Sequence, residues 1–201
     1  FISSCLVRTQ YPGSGSVVGD TLNDKLTYNN TAYGLRIQDE DISLNVPDVA
    51  KVIAVYESVN GLQPSFDTIQ FAATANVGGN AIIGENIIGS SSNAIARVVT
   101  NQGTSPSTGN ANKLGIVYLT DTQFTDFEQV TFDESNIVTN IEGINNADTE
   151  GKYIDISNSF TLDKGQKDQY YDYSKLVRKS SASIPSKRLL IVYDRYDVPS
   201  N

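Results

Sequence analysis

At 201 residues the chain can hold one large domain or two small ones, and its apolar share of 39% makes for a lean core. With no histidine and a single cysteine, Cys5, it has no imidazole base or metal ligand, no Ser-His or Cys-His nucleophile, no internal disulfide and no thiolate zinc site. A net charge of −8 argues against a nucleic-acid partner, because phosphate binding needs clustered Lys and Arg.

Helical periodicity is scarce, and short apolar runs bounded by turn residues recur along the chain. These runs predict strands over residues 4–9, 25–28, 34–37, 50–58, 67–71 and 81–88. Further strands are predicted over 94–100, 114–119, 129–133, 153–157, 174–178 and 188–194. The first contains Cys5, read as a small buried hydrophobe. Gln129-Val130-Thr131-Phe132-Asp133 alternates strictly, as a strand with one wet face does. Leu189-Leu190-Ile191-Val192-Tyr193 is apolar on both faces and belongs in the middle of a sheet. Pro12-Gly13, Asn60-Gly61, Gly78-Gly79-Asn80 and Ser90-Ser91-Ser92-Asn93 supply the turns between them. Residues 101–112 read as a long polar loop, and one helical turn is expected over 166–171.

This pattern predicts an all-β chain. Residues 47–136 are expected to form a small β-barrel or sandwich module, inserted between flanking segments 1–46 and 137–201 that build a second β-unit. The middle segment echoes itself, since Ile83-Gly84-Glu85-Asn86-Ile87-Ile88-Gly89-Ser90 resembles Phe127-Glu128-Gln129-Val130-Thr131-Phe132-Asp133. Both read as a turn, an acid and a strand.

Chemistry-bearing motifs are few. Gln38-Asp39-Glu40-Asp41 and the pair Asp20/Asp24 could offer oxygen ligands to calcium, but neither has the spacing of a calcium loop, and a solvated acidic face is the plainer reading. Gly84-x-x-x-x-Gly89-Ser90 has part of a phosphate-loop spacing without its lysine and reads as a turn. Asn29-Asn30-Thr31 matches a glycosylation sequon, with no secretory signal visible beside it. No apolar run approaches the roughly 20 residues of a membrane helix. Charge is uneven: residues 164–195 carry eight basic and three acidic side chains, and the remainder carries seven basic and twenty acidic. A basic segment packed on an acidic neighbour, in this chain or another, accounts for that asymmetry, and a nucleic-acid patch is the competing reading.

The densest motif is Phe160-Thr161-Leu162-Asp163-Lys164-Gly165-Gln166-Lys167-Asp168-Gln169-Tyr170-Tyr171-Asp172-Tyr173-Ser174. It combines a turn at Asp163-Lys164-Gly165 with Gln166, the capping carboxylates Asp163, Asp168 and Asp172, and three tyrosines in four residues, Tyr170, Tyr171 and Tyr173. The tyrosines could form a sugar-stacking or subunit-docking surface, or a corner with rings packed over a strand end and hydroxyls tied to backbone.

This segment, with Lys175-Leu176-Val177-Arg178 and the strand from Ile184 to Ser200, resembles a stretch in large virion structural proteins of contractile-tailed, T4-like marine phages and cyanophages. The shared pattern is a Leu-Asp-x-Gly-Gln-basic-Asp-x-Tyr-Tyr-Asp run followed by an apolar strand ending near Val-Pro-Ser. More loosely, the residues from Gly84 to Val99 resemble small β-modules of such proteins, which carry glycine before the second acid where this chain has Phe127. The resemblance implies a non-enzymatic structural module of a tail or baseplate protein, located in the virion tail after assembly in the host cytoplasm. It implies other virion proteins as partners, a homo-oligomeric parent, and no cofactor, metal, nucleic acid or membrane. The sequence reads as an excerpt of that longer parent. The alternative is a receptor- or carbohydrate-binding module of a tail fibre.

Overall fold

The computed structural model describes residues 36–60, 66–101, 112–145 and 153–197, together with the backbone of 2–10. The predicted strand 25–28, Asp20 and Asp24, the sequon, residues 102–111 and the side chain of Cys5 lie outside that description. The chain is all-β, as its turn-rich composition predicts. It forms two compact units, Phe1–Pro64 with Gly151–Asn201, and Ser65–Glu150.

The first unit contains two sheets. One has the order β1 (Ile2–Gln10), β13 (Leu189–Asp197), β3 (Val49–Ser58), β10 (Tyr153–Asp155). The other has the order β11 (Phe160–Asp163), β12 (Lys175–Arg178), β2 (Asp41–Ser43). All neighbours are antiparallel. Leu189 to Tyr193 is buried throughout and sits between two strands, as a run apolar on both faces should. One core unites the sheets, with Leu189, Ile191 and Val55 from the first meeting Phe160, Leu176 and Ile42 from the second. Tyr56 and Tyr153 stack at 4.0 Å between ring centroids on adjacent strands.

The second unit is a closed barrel of six strands in the order β4 (Asp67–Phe71), β7 (Lys113–Tyr118), β6 (Ile95–Asn101), β5 (Asn86–Gly89), β8 (Gln129–Phe132), β9 (Val138–Asn145). A four-residue helix, α1 (Val77–Asn80), follows β4. Alternate residues fill the interior, and Phe71 and Phe132 meet at 5.8 Å in a tilted pair.

The barrel is a duplicated three-strand unit. Strands β4, β5 and β6 correspond to β7, β8 and β9, and β4 pairs antiparallel with β7 as β5 does with β8. Loop hydrogen bonds repeat in step. Val98 N–H donates to the Glu85 carbonyl and Ile141 N–H to the Glu128 carbonyl, both at 2.9 Å. Gly89 N–H donates to Ala94 and Phe132 N–H to Ile137, again at 2.9 Å. Asn93 and Asn136 take matching left-handed angles, φ 54° and 56°. The faint echo in the sequence is thus the visible part of a two-fold symmetric fold.

Each half carries one buried glutamate. Glu85 accepts from Ile82 N–H at 2.6 Å, Ser135 N–H at 2.9 Å and Ser135 Oγ at 3.1 Å. Glu128 accepts from Thr125 N–H and Oγ1 at 2.8 and 3.0 Å, and from Ser91 N–H, Ser92 N–H and Ser92 Oγ at 3.1, 3.0 and 2.8 Å. The acid of each half therefore ties its own turn to the loop of the other half. Burial pushes the Glu128 carboxyl up, but the hydrogen bonds from Thr125, Ser92 and Ser91 outweigh it and hold the group at about 2 instead of 4.5.

Several boundaries differ from expectation. The units divide near residues 65 and 150 rather than 47 and 136, because β3 is paired along its length with β13, while β9 closes the barrel against β4. Strands β2, β9 and β11 were not anticipated; each is short or mixed in polarity and is held by its neighbours' hydrogen bonds. Of the predicted strand 34–37, Arg36 and Ile37 lie in a turn, and of 81–88 only the last residues pair, the rest forming the turn that Glu85 caps.

Two outcomes test this account. Glu128→Ala removes the acceptor for three N–H groups and should cost about 2–3 kcal/mol in chemical denaturation. Because the folded carboxyl lies below its unfolded value, its contribution is full above about pH 4.5 and is lost as pH falls towards 2. Glu128→Gln should lack that part of the acid dependence. Phe127 holds φ 64° with its side chain 73% exposed, where its counterpart is Gly84 at φ 100°. Phe127→Gly should therefore raise stability by about 0.5–1 kcal/mol, measured by thermal unfolding.

Candidate functional site

The acid- and tyrosine-rich segment is a hairpin projecting from β11 and β12. Its first turn is built by Asp163, whose Oδ1 accepts the Gly165 N–H at 2.9 Å and whose Oδ2 takes the Lys167 ammonium at 2.9 Å. The Lys167 hydrogen bond, then that of Gly165, holds the Asp163 carboxyl below its usual range. Gly165 is buried at φ +73°, and a Cβ there would collide with the Asp172 carbonyl oxygen. The carbonyl of Gly165 accepts Asp172 N–H at 2.8 Å, Gln166 bridges to Tyr171, and Lys167 N–H donates to Tyr170 O at 3.1 Å. Residues 166–171 are thus a two-stranded turn rather than the expected helical turn, because the Asx geometry at Asp163 and the positive φ at Gly165 reverse the chain first.

Ser174 locks the base. It is fully buried, accepts Val49 N–H at 3.2 Å on its Oγ, and donates that hydroxyl to the Lys164 carbonyl at 3.2 Å. Its backbone bonds to Val46 and Leu44, each at 2.9 Å. Beside it Lys175 meets Asp41 at 2.7 Å, an interaction that raises the lysine's proton affinity. Ser174 closes the quoted motif and Asp41 the acidic run, but nothing in the sequence pointed to the Ser174–Val49 bond or the Asp41–Lys175 pair, because both join segments distant in sequence.

The outer part of the hairpin faces solvent. Gln166, Lys167, Asp168, Gln169 and Asp172 are exposed, and Tyr170, Tyr171 and Tyr173 are 61%, 77% and 55% exposed. The packed-corner reading of these rings is therefore not what the fold builds. The hairpin brings together all eight residues singled out from the sequence: Asp163 and Gly165 shape it, and the rest form its outer surface.

The acidic run over Gln38 to Asp41 is not a solvated face. Asp39 is buried and takes two hydrogen bonds from the Arg36 guanidinium, at 2.7 and 3.2 Å, while Asp41 pairs with Lys175. Among the described residues no group of three or more His, Cys, Asp or Glu side chains is placed to hold a metal ion, and no helix is long and apolar enough to cross a membrane. Comparison with family models, curated proteins and solved structures found no match.

Gly165→Ala should release the hairpin, since the new methyl meets backbone that cannot move without breaking the Asp172–Gly165 hydrogen bond. Hydrogen exchange should show faster exchange at the Asp172 amide, with the barrel amides unchanged.

Proposed function

We propose that the chain is a non-enzymatic structural and assembly module of a phage tail or baseplate protein. It docks on neighbouring virion proteins through the tyrosine hairpin, within a homo-oligomeric parent in the virion tail. The observation that carries this reading is the pairing of rigidity with exposure. A hairpin fixed by Asp163, Gly165 and Ser174 holds three large apolar faces in water, where ordering has already been achieved before any partner arrives. Tyrosine suits such a surface because it offers wide contact area with few rotatable bonds. The resemblance to virion structural proteins runs through these same residues and on through β12 and β13.

A second reading, a receptor- or carbohydrate-binding module of a tail fibre, is favoured by the same rings, which lie among Asp168, Gln169 and Asp172 as sugar-stacking platforms do among polar groups. The two separate experimentally. Tyr170→Ala/Tyr171→Ala in the full-length protein should leave folding within about 0.5 kcal/mol of wild type, because both rings are exposed. It should lower incorporation into particles at least tenfold in a complementation assay. Wild-type incorporation of the variant, with a glycan-array signal that it abolishes, would move the function to the second reading.

A further inference from the structure

In the first unit a cleft of about 310 Å³ opens between β3 and β11, with Leu176 among its lining residues. Three consecutive residues of each strand line it: Ala50, Lys51 and Val52 on one wall, and Phe160, Thr161 and Leu162 on the other. Successive side chains of a strand point to opposite faces, so a sheet face can contribute only alternate residues. On β11, which pairs without register shifts, consecutive lining means that the strand turns its edge towards the cleft. Strand β3, with an extra residue on either side of Val52 and Lys51, forms the facing wall.

The pairing agrees. Among the described residues β11 pairs with β12 alone, while β3 pairs with β10 from Tyr56 to Ser58, is bonded at Val55 by Ile156 and by Ser157, which also lines the cleft, and at Val49 by Ser174. The cleft is apolar where Val52, Phe160, Leu162 and Leu176 line it. Lys51 is exposed at its rim and has no ion pair among the described residues. Register shifts opposite Val192/Tyr193 and Asp194/Arg195 put extra residues into β3 beside it. A lysine and a bulge on an edge discourage indiscriminate strand pairing. They still admit a strand that satisfies the cation.

We propose that this cleft receives a short extended segment of another polypeptide by strand addition, with alternate side chains apolar and one carboxylate set against Lys51. Three residues on each wall correspond to about 10 Å of strand, so the segment is short. Main-chain hydrogen bonds to the edge of β11 supply affinity, and the Lys51 ammonium on the facing wall supplies selection against cationic strands. The proposal goes beyond docking through the hairpin and does not require a virion parent.

The test uses the full chain and three fluorescein-labelled peptides: Thr-Val-Asp-Val-Thr, the same peptide with Lys for Asp, and the Asp peptide N-methylated at alternate backbone amides. Fluorescence anisotropy should show saturable binding of the Asp peptide, at least tenfold weaker binding of the Lys peptide, and loss of binding on N-methylation. Lys51→Glu, an exposed change that leaves the fold intact, should reverse the order of the first two. Hydrogen exchange at the Leu162 amide, which faces away from β12, should slow when the Asp peptide is bound. Absence of saturable binding, equal binding of Asp and Lys peptides, or indifference to Lys51→Glu would overturn the proposal. So would self-association of the chain, seen by light scattering and abolished by Lys51→Glu without peptide binding, which would assign the cleft to a second copy.

Discussion

A β-strand carries two rows of backbone donors and acceptors, and each row must find partners or face water. The two units of this chain meet that demand differently. In the barrel, every strand has a neighbour on both sides, so the backbone is satisfied internally and no edge is offered. In the other unit the sheets end at β10 and β1, and at β11 and β2, among the described residues. Among the described residues, strands with a single neighbour therefore belong to the first unit.

Closure of the barrel brings its own cost. Two carboxylates, Glu85 and Glu128, leave water, and a buried carboxylate is tolerated only when hydrogen bonds replace its hydration. Each is compensated by its own turn and by the loop of the opposite half, so the duplicated halves stabilise one another reciprocally. Symmetry is broken where Gly84 is matched by Phe127. An aromatic residue held at positive φ and left in water contributes little to packing, which marks that turn as a departure from the repeat with a local conformational cost.

Electrostatics in the first unit is local rather than global. The basic bias of residues 164–195 is partly neutralised within the unit, through Lys175 with Asp41 and Lys167 with Asp163. Each of these pairs organises backbone: Asp163 shapes the turn of the hairpin, and the Asp41–Lys175 contact joins β2 to β12 beside the buried Ser174. The hairpin's rigidity thus depends on two charge contacts and one hydroxyl, while its surface stays uncommitted.

Much of the local structure was legible in the amino-acid order. The strand over 67–71, the alternation of β8, the central position of Leu189 to Tyr193 and the turn at Asp163–Gly165 follow from periodicity of two, apolar runs and the φ freedom of glycine, all of which act between near neighbours. The eight hairpin residues were legible as a group for the same reason. Tertiary structure alone decided the rest. It placed β3 with β13 and β9 with β4, buried Asp39 and Ser174, turned the tyrosines to solvent, and set β3 and β11 on either side of a cleft. Those outcomes depend on hydrogen bonds and packing between residues as far apart as Val49 and Ser174, and no local pattern in a chain encodes which distant strand will supply the missing partner.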